Sequence, residues 1–394
     1  MSELVEPVEL RRGAGRGVVA GLAIAALAGG ISSAVGALAT PRQFGHSYLA
    51  ALAFAVSIAL GSLFWVMIHH LVDAGWSVVI RRLLENLGSI LTWVGLLLIP
   101  LLLVLNSVYA WTGDDSAEPI LRAKRAYLNV PFFVGRSALY AAVWGLLAGY
   151  LFRQSRRQDH ADTPGLSRGM KRASAGGMYA VAVTSTFAAF DWLMTLDYKW
   201  YSTIFGVYYW AASILSGLCA LTLLVIGLRS FGILSRTITV EHRHDLGKLI
   251  LGFTIFWAYI AFCQYFLIWY GNQPEETEFY ILRRNGTWNA VSWALAIGHF
   301  AVPFALLLPR ASKRSPRVLG FVAAWLLAFH YLDMYWLVLP NLHRDGIRPH
   351  WLDLSTLVAV VSVCGLIVAR ACLTAPLVPT GDPRLAESLA YKDL

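Results

Sequence analysis

AAFDWLMTLDYKWYS, residues 188–202, sets Asp191 inside an apolar run and follows it with Asp197, Lys199 and a rank of aromatic rings. An ionised Asp at the centre of a hydrocarbon layer costs roughly 2.5–3.5 kcal/mol. Such a residue is retained for a partner, a water-filled cavity or a function. With the apolar sequence upstream of it, the run is long enough to cross a hydrocarbon core of about 30 Å as a helix. The stretch therefore reads as a membrane helix with a carboxylate about a turn and a half inside its end, and an aromatic, locally ion-paired anchor at residues 197–201.

The rest of the chain agrees with that reading. Of 394 residues, 57% are hydrophobic and 14% charged, with a mean hydropathy of +0.58, against about 25% charged in soluble domains. Ten apolar runs of membrane-crossing length follow one another, at about 17–38, 47–70, 88–111, 131–152, 176–197, 203–228, 248–270, 287–308, 317–339 and 352–374. The fold class expected is an all-α integral membrane protein of ten transmembrane helices. The net charge of +9 is distributed as a membrane orientation and not as a nucleic-acid face: 22 of the 32 Lys and Arg residues fall on one set of alternate connections. By the positive-inside rule both termini are cytoplasmic. Arg11, Arg12 and Arg16 ahead of the first run imitate a signal peptide, but the run is too long for one and reads as a retained helix. Cys219, Cys263, Cys364 and Cys372 lie in apolar runs without paired spacing and offer no metal, iron–sulfur or haem motif.

Three echoes reveal an internal repeat. ENLGSI (85–90) returns as HDLGKLI (244–250), WTGDD (111–115) as WYGNQ (269–273), and AFDWLM (189–194) as AFHYLDM (328–334), the last at an offset of 139. An even number of spans separates the copies, so the repeat is parallel. The resulting division is a tail and peripheral first helix at 1–46, a four-helix bundle at 47–202, a second at 203–340, and a tenth helix with a C-terminal tail at 341–394. Gly17, Gly21, Ala25, Gly29, Ser33 and Ala37 form a stripe on the first helix along which another helix can approach.

Seven residues are candidates for proton movement, because each can change charge once burial and neighbours shift its pKa. His69 and His70 lie three or four residues from Asp73, which can accept a hydrogen bond from one imidazole on a continuous helix. The pair also reads as an interfacial one satisfied by headgroups, or as metal or haem ligands. The segment after them, with Trp76, Arg81, Arg82 and Glu85, reads as an interfacial amphipathic helix. Asp191 and, by the 139 offset, His330 occupy matched positions. Asp333 stands one turn beyond His330 on the same face, able to share its proton. His299 stands near mid-depth, four residues before Pro303, which leaves a backbone carbonyl without its helical donor. For His299 and His330, interhelical hydrogen bonding, proton conduction, quinone contact and haem ligation all remain open. Pro100 should kink the third helix and free the carbonyl of Leu96. No nucleophilic triad, phosphate loop or metal cluster is visible, and the loops are too short for a redox domain.

The strings HHLVDAGW (69–76), AAFDWLMTLDYKWYSTIFGVYYW (188–210), GNQPEETEFY (271–280) and AFHYLDMYWLVLPN (328–341) resemble the F-type membrane subunits of alternative complex III, within the wider NrfD-like, polysulfide-reductase membrane-subunit superfamily. The resemblance covers essentially the whole chain. It implies a subunit of a quinol:electron-acceptor oxidoreductase in the bacterial cytoplasmic membrane. Its partners are expected to hold the redox centres, iron–sulfur clusters and c-type haems, and a related C-type subunit to hold the quinol site. This chain is then expected to bind no cofactor itself, with menaquinone or another quinone nearby, and to serve as a structural and proton-conducting component. A quinol-binding anchor and a secondary transporter are the competing readings.

Overall fold

The computed structural model describes residues 15–113, 118–160 and 164–392. Asp114 and Asp115 of the WTGDD echo, and the N-terminal tail with Arg11 and Arg12, lie outside the described residues. Among the described residues there is no strand. Ten helices have the length and hydropathy to span a membrane: α1 (Arg16–Ala39), α2 (Pro41–Leu71), α3 (Val78–Leu103), α4 (Val130–Gln158), α5 (Gly165–Asp197), α6 (Phe205–Ser230), α7 (Val240–Gly271), α8 (Trp288–Leu307), α9 (Pro316–Asn341) and α10 (Trp351–Thr374). The chain is a multi-pass, all-α membrane protein. The end of the molecule carrying the Arg-rich connections is called here the basic end, and the other the opposite end.

The core is organised about α2, which touches α3, α5, α6, α9 and α10 and buries 89% of its most apolar window. Its crossing with α6 explains how two helix backbones come so close. A Cβ at Gly61 would collide with the Ser213 carbonyl, and one at Gly217 would sit 2.7 Å from the Gly61 carbonyl carbon. Reciprocal hydrogen bonds lock the crossing: Trp65 Nε1 donates to Ile214 O (3.2 Å), and Tyr209 Oη to Ala53 O (2.8 Å). Helices α2 and α6 are the first helices of the two segments, 47–202 and 203–340, that the sequence echoes suggest as halves. The halves share one contiguous core.

Helix α1 is peripheral and rests mainly on α10. Only part of its small-residue stripe is used: a Cβ at Gly29 would meet the Ala359 backbone nitrogen at 2.7 Å, and Ser33 Oγ lies 3.4 Å from Ser355 Oγ, whereas nothing approaches Gly17 or Gly21. Helix α3 is broken by a 3-10 turn at Ser89–Trp93 and again at Val104, with Pro100 between. Tyr48 Oη caps the carbonyl of Leu97 (2.6 Å), one residue beyond Leu96, whose donor Pro100 removes.

Two expectations for peripheral segments change. The segment carrying Arg81, Arg82 and Glu85 is not an interfacial helix but the buried first turns of α3. The chain after α10 folds back across the basic end: Arg81 reaches Asp382 (2.6 Å), and Arg82 reaches Asp159 (2.9 Å) and Pro376 O (3.1 Å). Covering lets these charges be buried, since each is paired. Likewise, residues 197–201 are not a simple belt with local pairing. Lys199 pairs with Glu118 (2.6 Å) and not Asp197, while Trp200 is buried and stacked on Phe279 at 4.2 Å.

Candidate functional site

In the first half, Asp191 near the end of α5 is fully buried and held by three donors. Arg136 gives a two-pronged contact, Nε to Oδ2 and Nη2 to Oδ1, each 2.8 Å, and Tyr140 Oη adds a third at 2.7 Å. The Arg136 guanidinium also donates to Tyr127 O (3.0 Å) and lies 3.8 Å from the Tyr127 ring centroid. Two parallel N–H···O bonds match the planar fork of arginine to a carboxylate. The sequence reading missed Arg136 and Tyr140. Arg136 is a lone charge within the apolar run at 131–152, the same signal that marked Asp191.

The second half holds a different arrangement. His330 on α9 meets Ser57 of α2, Nε2 to Oγ 2.6 Å. His299 on α8 packs on Trp257 of α7 with ring centroids 3.9 Å apart, and stands 6.4 Å from the His330 ring. Asp333 accepts from Tyr208 Oη of α6 at 2.5 Å. All of these groups are buried. His299 Nδ1 and His330 Nδ1 have no hydrogen-bond partner among the described residues, whereas the Trp257 indole N–H faces the Asp333 carboxylate. His330 and Asp333 do not bond to each other as their one-turn spacing suggested. Each instead takes a hydroxyl from the α2–α6 pair, which crosses in front of α9.

The local backbone of α8 explains where His299 sits. Pro303 lacks an N–H, and α8 passes through a π-helical turn, Leu295–Ala301, immediately before it. In that register the carbonyl left without a donor belongs to Gly298, and Trp325 Nε1 fills it at 2.7 Å. The Phe329 ring occupies the space a side chain at 298 would need. The carbonyl expected at 299 is thus displaced by one residue, because a π turn shifts every partner by one.

A buried cation completes this half. Arg283, just before α8, donates to Trp336 O (3.1 Å), Leu337 O (2.9 Å) and Phe279 O (3.0 Å), and its guanidinium carbon lies 3.4 Å from the Phe279 ring centroid. Burial pulls its pKa down to about 9, so the charge persists at neutral pH. The cation tethers the end of α9 near Asp333.

At the basic end the three expected residues separate. His69 is buried between Trp65 (5.9 Å) and Trp76 (5.8 Å), and neither of its nitrogens has a partner among the described residues; nor has His70 Nε2. Asp73 is not their acceptor. Helix α2 ends at Leu71 and Asp73 adopts φ 52°, a left-handed position that turns its side chain out to Lys171. The Lys171 ammonium holds the Asp73 carboxyl below the usual carboxylate range.

The matched position of Asp191 is also revised. Trp192 Nε1 donates to Ser137 Oγ (3.0 Å) in the first half, and Trp336 Nε1 to Ser292 Oγ (2.9 Å) in the second. This pairing sets Trp336 opposite Trp192 and Tyr335, not His330, opposite Asp191. The five-residue difference turns a helix by about 140°, so His330 faces α2 while Asp191 faces α4. No group of His, Cys, Asp and Glu suited to a metal ion occurs among the described residues. Compared with protein-family models and with curated proteins, the chain matches none.

Proposed function

We propose that the chain is the F-type membrane subunit of a bacterial alternative complex III, a quinol:electron-acceptor oxidoreductase. In this reading it packs beside a related quinol-binding subunit, and its second half moves protons between the opposite face and mid-membrane. The basic end is then cytoplasmic, as the Lys and Arg asymmetry requires. Redox centres, iron–sulfur clusters and c-type haems, belong to partner subunits, and the quinone is bound next door.

One observation carries the proton assignment. Asp333–Tyr208, His330–Ser57 and His299 form a buried set with unfilled valences on His330 and His299. Groups of this kind exchange protons when water bridges them. The 6.4 Å between the two imidazole rings leaves such a bridge within reach. Asp191 has a different task here: with its oxygens held by Arg136 and Tyr140, it fastens α5 to α4. His69 and His70 are separated from the set. They lie twelve and thirteen residues along α2 from Ser57, about 18 Å, beyond the close α2–α6 crossing at Gly61. The path is accordingly a half-channel leading in from the opposite end.

The test is proton stoichiometry in the assembled complex reconstituted into liposomes. Asp333→Asn and His330→Ala are expected to leave quinol oxidation above half of the wild-type rate while lowering the protons moved per electron. Normal stoichiometry in both variants would overturn the assignment.

A further inference from the structure

At the opposite end, the start of α2, the ends of α5 and α9, the segment after α3 and the short helix Pro274–Leu282 surround a cavity of about 710 Å³. Its wall carries Arg42, Arg344, Asp197, Glu278 and Asn341, of which Arg42, Arg344 and Glu278 are exposed. Charged side chains give up their hydration only at high cost, and a space this polar and this large holds water. The cavity is therefore an aqueous recess sunk into the opposite end.

Two of its walls lead inward to the same buried cation. Asn341, the last residue of α9, donates from Nδ2 to Leu337 O (3.2 Å), and that carbonyl also accepts from Arg283 Nη2 (2.9 Å). Leu337 stands one helical turn from Asp333, about 6 Å along α9. On the other wall, Trp200 N donates to Asp197 O (3.2 Å), and the Trp200 ring stacks on Phe279, the ring that also carries the Arg283 guanidinium. Arg283 thus stands directly behind the cavity, within electrostatic reach of both Asp197 and Asp333. The other titratable groups on the wall are turned elsewhere: Glu278 faces Lys199, and His46 donates from Nδ1 to Arg42 O (2.7 Å).

We infer that this cavity is the aqueous mouth of the half-channel and that Asp197 exchanges protons between it and Asp333. The inference rests on the proton path proposed above. A hydronium ion in the cavity gives its proton to the Asp197 carboxylate and leaves as water. The Asp197 carboxyl then passes the proton through bridging water to the Asp333 carboxylate, and the reverse sequence releases it. Arg283 keeps its own protons throughout and acts as a positioning residue, a fixed cation that ties the end of α9 to the cavity wall.

The test is proton stoichiometry of the assembled complex in liposomes, with Asp333→Asn as the reference. Asp197 Oδ1 accepts from Lys199 N (3.1 Å), a bond that an Asn oxygen also makes, so D197N removes the exchangeable proton and keeps the turn. It is expected to lower the protons moved per electron as far as Asp333→Asn does, and D197E should recover most of the loss. A110W, which sets an indole into the cavity from its exposed rim, should lower the ratio as well. D345N, which alters an exposed carboxylate at the same end outside the cavity, should leave it unchanged. Normal stoichiometry in D197N beside a deficit in Asp333→Asn would overturn the mouth and leave the half-channel standing. So would a deficit in D345N equal to that in D197N, an uncorrected deficit in D197E, or a normal ratio in A110W. Normal ratios in Asp333→Asn, His330→Ala and D197N alike would overturn the half-channel itself, and its mouth with it.

Discussion

A buried charge is tolerable only with its counter-charge in place, and this rule governs Asp191. Its three donors come from Arg136 and Tyr140 on one neighbouring helix. Removing either ion leaves the other unpaired in a dry setting, a change that costs about 3–5 kcal/mol in buried pairs. R136Q and D191N should each lower the unfolding midpoint of the detergent-solubilised chain sharply, as read by intrinsic fluorescence. The double variant R136M/D191L should recover most of the loss, because apolar residues of similar volume need no partner. Singles that unfold like the wild type would refute the pairing's structural role. The cost of Asp191 was legible from sequence because it depends only on hydropathy around one residue. Its partner was not, because Arg136 stands 55 residues away and only packing of α4 on α5 joins them. His330 and Asp333 show the same limit: one turn apart on α9, they look toward Ser57 and Tyr208, partners that no local spacing encodes.

At the level of helices, close approach is set by missing side chains. Gly61 and Gly217 let α2 and α6 exchange hydrogen bonds at Trp65 and Tyr209. A methyl group at Gly61 would meet the α6 backbone, which has nowhere to move. G61A should therefore destabilise the chain by about 1–3 kcal/mol, the usual range for overpacking. G21A on α1, where nothing approaches, should be neutral or slightly stabilising, since Ala favours a helix over Gly. Thermal unfolding of the two variants distinguishes these positions; equal effects would show that the crossing is not tight. Glycine alone cannot reveal this in a sequence with many of them, since Gly21 and Gly61 look alike until a neighbour is known. Proline is more readable. Pro303 announced a broken ladder in α8, and only the π turn moved the free carbonyl from residue 299 to Gly298, where Trp325 satisfies it.

Across the whole molecule, the C-terminal segment acts as part of the core at the basic end. Asp382 pairs with Arg81, Pro376 O accepts from Arg82, and Ser388 Oγ bonds both Trp76 O and Val79 N. A chain ending at residue 375 would leave two buried arginines without these partners. Limited proteolysis should then cut the α2–α3 turn, residues 72–77, rapidly in the truncated chain and slowly in the intact one. Equal cleavage rates would refute the strapping role of the segment.

Hydropathy summed along the chain determined that this protein is helical and has ten helices of membrane-spanning length, because such a sum over many residues survives ignorance of any single contact. Tertiary structure alone decided which buried groups are paired and which are left open. Asp191 is locked to Arg136, Asp73 is turned out to Lys171, and His330 and His299 keep free valences, since a hydrogen bond is fixed by distance and direction between helices far apart in the chain.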